Sequence, residues 1–329
     1  MGVTLAREWK REDIEMRKAY CDTLIELAGE NPNIVVMDAD LMGAMGTKPF
    51  AAKFPGQCVN CGIQEANMIG VAAGLSALGK VPFAHTFGVF ATRRVCDQVF
   101  MSAAYARLNV KIVGSDPGIT AALNGGTHMP FDDMGIMRGM PSVTVLEPTD
   151  ATLLRWMMRT IAGEFGVHYM RLLRKNSVKI YEEGSTFEIG RMVRLAEGKD
   201  ATIIASGFCV AESLKAAEML KEKGISVRVL DSFTWKPLDE DAVREAAAQT
   251  GAIVTAENHS VVHGLGSAVA SVLSKTGPVP VEMIGVQDEF GEVGPADYLA
   301  ERFALTAPHI ARAAERAIIR KQASASIAG

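Results

Sequence analysis

Cysteine is scarce in this chain, with five among 329 residues, too few and too scattered for a disulfide framework. Two of them form Cys58-Val59-Asn60-Cys61, but no second cysteine pair or suitably spaced histidine pair follows, which argues against zinc. The motif lies within a strand-like run rather than opening a helix, so the two thiols read as small apolar fillers. No basic tract occurs, and a net charge of -4 gives nucleic acid or an anionic membrane no electrostatic footing. No apolar run is long enough to span a bilayer. Met1 to Glu8 lead into charged residues without an apolar signal core, and Ala6 departs from a myristoylation pattern, so the cytoplasm is the expected compartment. No repeat of solenoid period is present.

What the chain does have is length for two ordinary domains and the composition of a packed protein, 48% hydrophobic and 22% charged. Apolar strand-like runs alternate with helical patterns. The strands are expected at Ile34 to Met37, Val81 to Ala84, Val110 to Gly114, Val143 to Leu146 and His168 to Leu172, then at Ala201 to Ala205, Val227 to Leu230, Ala252 to Thr255 and Val281 to Ile284. Windows of helical period, such as Ala151 to Ala162 and Cys209 to Lys223, lie between them. This alternation predicts an α/β fold with two doubly wound, parallel-sheet domains. A polar, turn-forming stretch at about Ser177 to Lys199 divides them, giving domains at 1–185 and 190–321 and a flexible tail at 322–329.

One glutamate stands out. Glu65 lies in Gly62-Ile63-Gln64-Glu65-Ala66-Asn67-Met68, where an apolar strand turns into a helix. Gly70, Gly74 and Gly79 follow, then Pro82-Phe83-Ala84-His85-Thr86-Phe87-Gly88-Val89-Phe90. A carboxylate at a strand end beside a phenylalanine pair suits a flat heteroaromatic ring, bonding its edge while the phenylalanine covers its face. Further strands run into Gly114-Ser115-Asp116-Pro117-Gly118 and the glycine-rich Asn124-Gly125-Gly126-Thr127-His128. Ligands of open α/β sheets bind at strand C-terminal ends, so Glu65, Phe87, Phe90, Asp116 and His128 are expected in one crevice. Taken singly, Glu65 is equally a helix-dipole partner, His128 a structural hydrogen-bonding histidine and the phenylalanines core.

In order and spacing these segments resemble the transketolase family. The matches run from Asp38-Ala39-Asp40-Leu41 through the Glu65 run, Thr86-Phe87 to Asp97-Gln98, Leu108-Asn109-Val110-Lys111, Gly125-Gly126-Thr127-His128 and Met137-Arg138-Gly139-Met140-Pro141. Beyond them, Thr234-Trp235-Lys236-Pro237, Glu257-Asn258-His259, Gly264-Leu265-Gly266-Ser267 and Asp288-Glu289-Phe290-Gly291-Glu292 resemble the family's C-terminal domain. The resemblance spans nearly all of residues 12 to 320. It implies a pyrimidine-binding domain for thiamine diphosphate followed by that C-terminal domain.

The chain contains no Gly-Asp-Gly, the mark of the domain that holds the diphosphate through a metal. The resemblance therefore implies the C-terminal half of a split enzyme. A separate N-terminal-half subunit would supply the diphosphate domain and most of the Mg2+ or Ca2+ ligation, in an A2B2 assembly. It further implies transfer of a two-carbon ketol unit from a ketose or ketose phosphate to an aldose acceptor, with Glu65 switching the cofactor on. Cofactor-binding residues by resemblance are Glu65, Phe87, Phe90, Arg93 and Gln98. His128 would act on substrate hydroxyls or a developing oxyanion, and Arg174 would pair with substrate phosphate, partnered by Arg17.

Three positions depart from the family pattern. Asp116 stands where a histidine is usual, Asn124 where an aspartate reads a sugar hydroxyl, and Ala44 where a serine often helps to hold phosphate. An anionic Asp116 opposes a phosphorylated donor unless it is paired, so an unusual sugar is implied. A 2-oxoacid dehydrogenase β subunit shares the two-domain layout, and 1-deoxyxylulose-phosphate synthase chemistry and a non-catalytic partner subunit are further alternatives.

Overall fold

The computed structural model describes residues 2–328, and the side chains of residues 2–323. Among the described residues, twelve strands form two sheets. They are β1 (Ile34–Asp38), β2 (Cys58–Asn60), β3 (Val81–Phe87), β4 (Lys111–Ser115), β5 (Val143–Leu146), β6 (Val167–Leu172), β7 (Val193–Ala196), β8 (Ala201–Ala205), β9 (Val227–Asp231), β10 (Thr234–Lys236), β11 (Ile253–Ser260) and β12 (Val281–Val286). The first sheet has the order β10-β5-β6-β4-β3-β1-β2 and the second β12-β11-β8-β9-β7. All pairings are parallel except those of β10 with β5 and β7 with β9.

The two-faced burial expected of apolar parallel strands is met residue by residue. Every residue of β1, β4, β6, β8 and β9 is buried. Successive side chains of a strand point to opposite faces, and here they enter different cores. Ile34 and Val36 join one apolar cluster with Leu24, Phe83 and Met158, whereas Val35 and Met37 join another with Met68, Ile112 and Tyr169. Both clusters continue into the second sheet, through Ile203 and Val229 on one side and Ile204 and Leu230 on the other.

Each apolar run read as a strand is one, with ends displaced by a few residues at most. Two strands went unread, β7 and β10. Both are short antiparallel edges. Thr234–Lys236 belongs by position to the second half of the chain, yet it pairs with β5 of the first sheet. The polar stretch between the sheets is not a free linker either: residues 178–186 pair with the N-terminal segment through Arg11–Val178, Leu5–Tyr181 and Gly2–Thr186 bridges. The last helix, Ala307–Ala328, continues through Gln322, where the sequence suggested a tail; the side chains of 324–329 and residue 329 lie outside the described residues. Among the described residues no helix is long and apolar enough to cross a membrane.

Candidate active site

Register aligns the ends of the first sheet. Asp38 lies beside Asn60 and His85, Phe87 beside Ser115, and Ser115 beside Leu172. The segments leaving these strands carry Glu65 after β2, Phe90 after β3, Asp116 after β4 and Arg174 after β6. The parallel arrangement thus delivers four of the sequence-predicted residues to one edge.

Glu65 is the first residue of the helix Glu65–Ala77 and is only 2% exposed. Its Oε1 accepts from Thr86 Oγ1 at 3.4 Å and its Oε2 from Arg94 Nη1 at 2.7 Å. The helix N-terminus adds a favourable dipole for the carboxylate. The Arg94 guanidinium carbon also lies 3.7 Å from the centre of the Phe90 ring, a cation–π contact. Glu65 and Phe90 therefore grip the same planar, N–H-bearing group, one by its edge and the other from above a ring face.

Phe90 and Phe87 lie 6.0 Å apart, and His128 sets its ring edge-on to both, at 5.4 and 5.7 Å. His128 Nδ1 is 2.9 Å from Thr127 Oγ1, which leaves Nε2 for a ligand. The Arg174 guanidinium carbon lies 5.3 Å from the centre of the Phe87 ring. Arg174 Nε donates to Asp116 Oδ1 at 2.7 Å, and Ser115 Oγ donates to Asp116 Oδ2 at 2.9 Å. Burial pushes the Asp116 carboxyl above its ordinary range, opposed by Arg174, Ser115 and His128. Asp116 also has φ 60°, a left-handed conformation that aspartate and asparagine tolerate better than most residues.

Arg17 joins from the helix Met16–Glu30. Its backbone N–H donates to Arg174 O at 3.3 Å, its Nε to Glu15 Oε2 at 2.6 Å and its Nη1 to Ala44 O at 3.1 Å. A buried row fixes the loop after β1. His85 Nε2 meets Asp38 Oδ2 at 2.8 Å, Tyr20 Oη lies 3.2 Å from His85 Nδ1, and Asp38 Oδ1 accepts from Leu41 N at 2.6 Å.

Other predicted residues stand apart from this chain of contacts. Arg93 turns to Asp132, with 3.4 Å between Nε and Oδ2. Gln98 ends the short helix Cys96–Gln98, and Asn124 is exposed; the side chain of neither makes a hydrogen bond among the described residues. Cys58 and Cys61 are free and half-buried, with burial pushing both thiols up. Among the described residues no group of three or more His, Cys, Asp or Glu side chains is placed to hold a metal ion. A cavity of about 230 Å3 lined by Glu147, Thr149, Gly207 and Phe208 contains none of the predicted residues.

Two residues of the site had no assigned role in the sequence. Arg94 is one. The other is Asn258, fully buried near the end of β11, whose Oδ1 accepts from Ile119 N at 2.9 Å and whose Nδ2 donates to Pro117 O at 2.8 Å. These bonds clamp the loop between Asp116 and His128 to the second sheet. The fit is close, because a Cβ on Gly118 (φ +49°) would collide with Asn258 and one on Gly126 with the backbone of Gly291. Arg171, fully buried, extends the tie: it bonds Asp133, Glu147, Pro130 O and Asn258 O.

Residues 12–178 match the family model of the transketolase pyrimidine binding domain, and residues 190–310 that of the transketolase C-terminal domain. The chain is 53% identical over 314 residues to the 6-deoxy-6-sulfo-D-fructose transketolase subunit SqwH of Clostridium sp. (strain MSTE9), covering 95% of this chain and 98% of the relative. It is 38% identical over 277 residues to an apulose-4-phosphate transketolase subunit of Phocaeicola vulgatus, covering 84% of this chain and 88% of that one. Its fold matches a split gene transketolase, solved as an inactive beta4 tetramer, with a TM-score of 0.87 and 44% identity over 94% of this chain and 100% of that chain.

Proposed function

The chain belongs to the transketolase family, as a transferase subunit made of the pyrimidine-binding and C-terminal domains, and from that premise we propose that it completes a thiamine diphosphate site at the interface with a separate diphosphate-binding subunit. Its relatives are themselves named as subunits, and this chain covers nearly their whole length. The related split transketolase that formed a beta4 tetramer was inactive. The diphosphate and its metal, Mg2+ or Ca2+, fall to the partner in an A2B2 complex.

The observation that carries this reading is the shared grip of Glu65 and Phe90 on Arg94. The guanidinium stands in for an aminopyrimidine: flat, bearing N–H groups, bonded at its edge by the carboxylate and in contact with the ring. The residues present therefore fit the cofactor's heterocycle. Bound thiamine diphosphate would supply the electron sink for carbon–carbon cleavage. Glu65 would hold a proton at a ring nitrogen, with Phe90 and Phe87 covering the ring. His128 Nε2 would move or hold a proton at a donor oxygen, since its Nδ1 is engaged by Thr127. Arg174, with Arg17 linked to it through the backbone, would hold an anion at the far end of the donor. The activity is transfer of a two-carbon ketol unit from a ketose carrying such an anion to an aldose acceptor. The relatives' names supply two candidate donors, 6-deoxy-6-sulfo-D-fructose and apulose 4-phosphate.

The test is reconstitution. The purified chain, a partner subunit carrying Gly-Asp-Gly, thiamine diphosphate and magnesium are combined, and ketol transfer is followed from each donor. Activity is expected only with both subunits present. Turnover by this chain alone, or none by the pair with any anionic ketose, overturns the reading.

A further inference from the structure

We propose that Asp116 trims the charge of the Arg174 anion clamp so that the site takes a ketose ending in a singly charged sulfonate in preference to one ending in a doubly charged phosphate. The inference rests on the reading of Arg174 as the clamp for the far end of the donor.

The two anions have almost the same shape. Each presents three oxygens in a tetrahedral array, so a guanidinium fork alone does not tell them apart. Their charge does, because a phosphate monoester carries about -1.5 to -2 at neutral pH, whereas a sulfonate carries a single negative charge. The clamp on this chain is poor in net positive charge. Arg174 gives its Nε to Asp116 at 2.7 Å, and Arg17 gives its Nε to Glu15 at 2.6 Å. Glu15 also takes Lys175 at 3.2 Å. Three cations and two carboxylates leave one positive charge, and Lys175, which provides the excess, is exposed and screened by water.

Asp116 matters most of these because it is buried. It is 2% exposed, and both of its oxygens are already used, by Arg174 and by Ser115. Its charge acts on any ligand bound to the free Nη atoms of the same guanidinium, which make no hydrogen bond among the described residues. At such short range and reduced dielectric, each extra unit of ligand charge meets a repulsion that water does not remove. Ala44 offers no compensating donor, since it has no side-chain hydroxyl and its carbonyl accepts from Arg17. The φ of 60° at Asp116 also makes the test practicable, because asparagine and histidine tolerate that conformation too.

The experiment uses the reconstituted two-subunit enzyme with 6-deoxy-6-sulfofructose and fructose 6-phosphate as donors. The ratio of kcat/KM for the two is measured in the wild type, Asp116→Asn and Asp116→His. The wild type is expected to favour the sulfonate by about tenfold or more, and both variants to move the ratio toward phosphate by about tenfold to a hundredfold. A second measurement titrates the same donors calorimetrically into the Glu65→Gln complex, where binding is read without turnover. Preferential binding of the sulfonate there supports the charge argument even if ketol transfer is never seen, which would instead count against the proposed activity. Equal loss with both donors in the two variants, or a wild type that binds phosphate more tightly, overturns the proposal; Asp116 would then merely hold Arg174 in place.

Discussion

Arg94 and Glu65 form an ion pair at 2.7 Å in which the carboxylate is 2% exposed and the arginine side chain 42%. The buried partner cannot turn to water if the other is removed, so the pair is asymmetric. Arg94→Ala should lower the stability of the cofactor-free chain by about 1–3 kcal/mol, the cost of leaving a buried acceptor unsatisfied. It should also enlarge the rise in Tm on adding thiamine diphosphate to the complex, because the cofactor no longer has to displace a guanidinium. In a Glu65→Gln background the destabilisation should largely vanish. A smaller thermal shift with cofactor in Arg94→Ala would mean that Arg94 holds the cofactor rather than its place.

Glu65→Gln keeps the size of the side chain and removes the group that holds a proton against the pyrimidine. Transfer by the reconstituted enzyme should fall by at least ~10², the lower end for proton transfer by a positioned side chain. The variant should still assemble with its partner, read by size-exclusion chromatography. Near-normal turnover in an assembled variant would remove Glu65 from the mechanism.

Asn258→Ala addresses the loop rather than the chemistry. Two backbone groups, Ile119 N–H and Pro117 C=O, lose their partners in a buried place, so stability should drop by about 1–3 kcal/mol. The loop bearing Asp116 and His128 would loosen, and kcat/KM for the donor should fall by about tenfold or more. Thiamine diphosphate affinity should change little, since Glu65 and Phe90 reach the site from other segments, after β2 and β3. A matching loss of cofactor affinity would show that the second domain supports the whole site.

The contrast between Phe90 and Arg94 shows what was legible in the sequence. Glu65, Phe90, Asp116 and Arg174 follow apolar runs, and parallel pairing brings the ends of such runs to one edge, so their shared location follows from local pattern alone. Arg94 and Asn258 act through contacts across 29 and 139 residues of sequence. No periodicity announces where a long cation or an isolated asparagine will reach. Asn124 and Gln98 show the reverse: their residue types suit a ligand, and no side-chain hydrogen bond among the described residues announces it. The unread strands β7 and β10 have the same origin. A three- or four-residue edge carries too little alternation to be seen, and β10 pairs with the sheet of the other half of the chain.

A final prediction concerns pH. Asp231 ends β9 fully buried, with Oδ2 accepting from Thr149 Oγ1 at 2.7 Å and Tyr181 Oη at 2.6 Å. Its Oδ1 is buried without a partner among the described residues. Burial pushes its pKa up to about 7, opposed by those two hydroxyls and reinforced by Asp150 and Glu147. Between its ordinary value of 3.8 and about 7, the folded chain keeps a proton that the unfolded chain has released. The folded state then binds more protons than the unfolded one, so this group's contribution is fully present below the lower value and is lost as pH rises toward the upper. Asn is isosteric with Asp, cannot ionise and supplies an N–H of its own. Asp231→Asn should therefore flatten the fall in Tm between about pH 5 and about pH 8. The gain over wild type should be greatest at the alkaline end, where the wild-type carboxylate is ionised in its buried place. Thermal melts of both proteins at the two pH values give the comparison, and an identical fall in each would mean that Asp231 carries no proton in the fold.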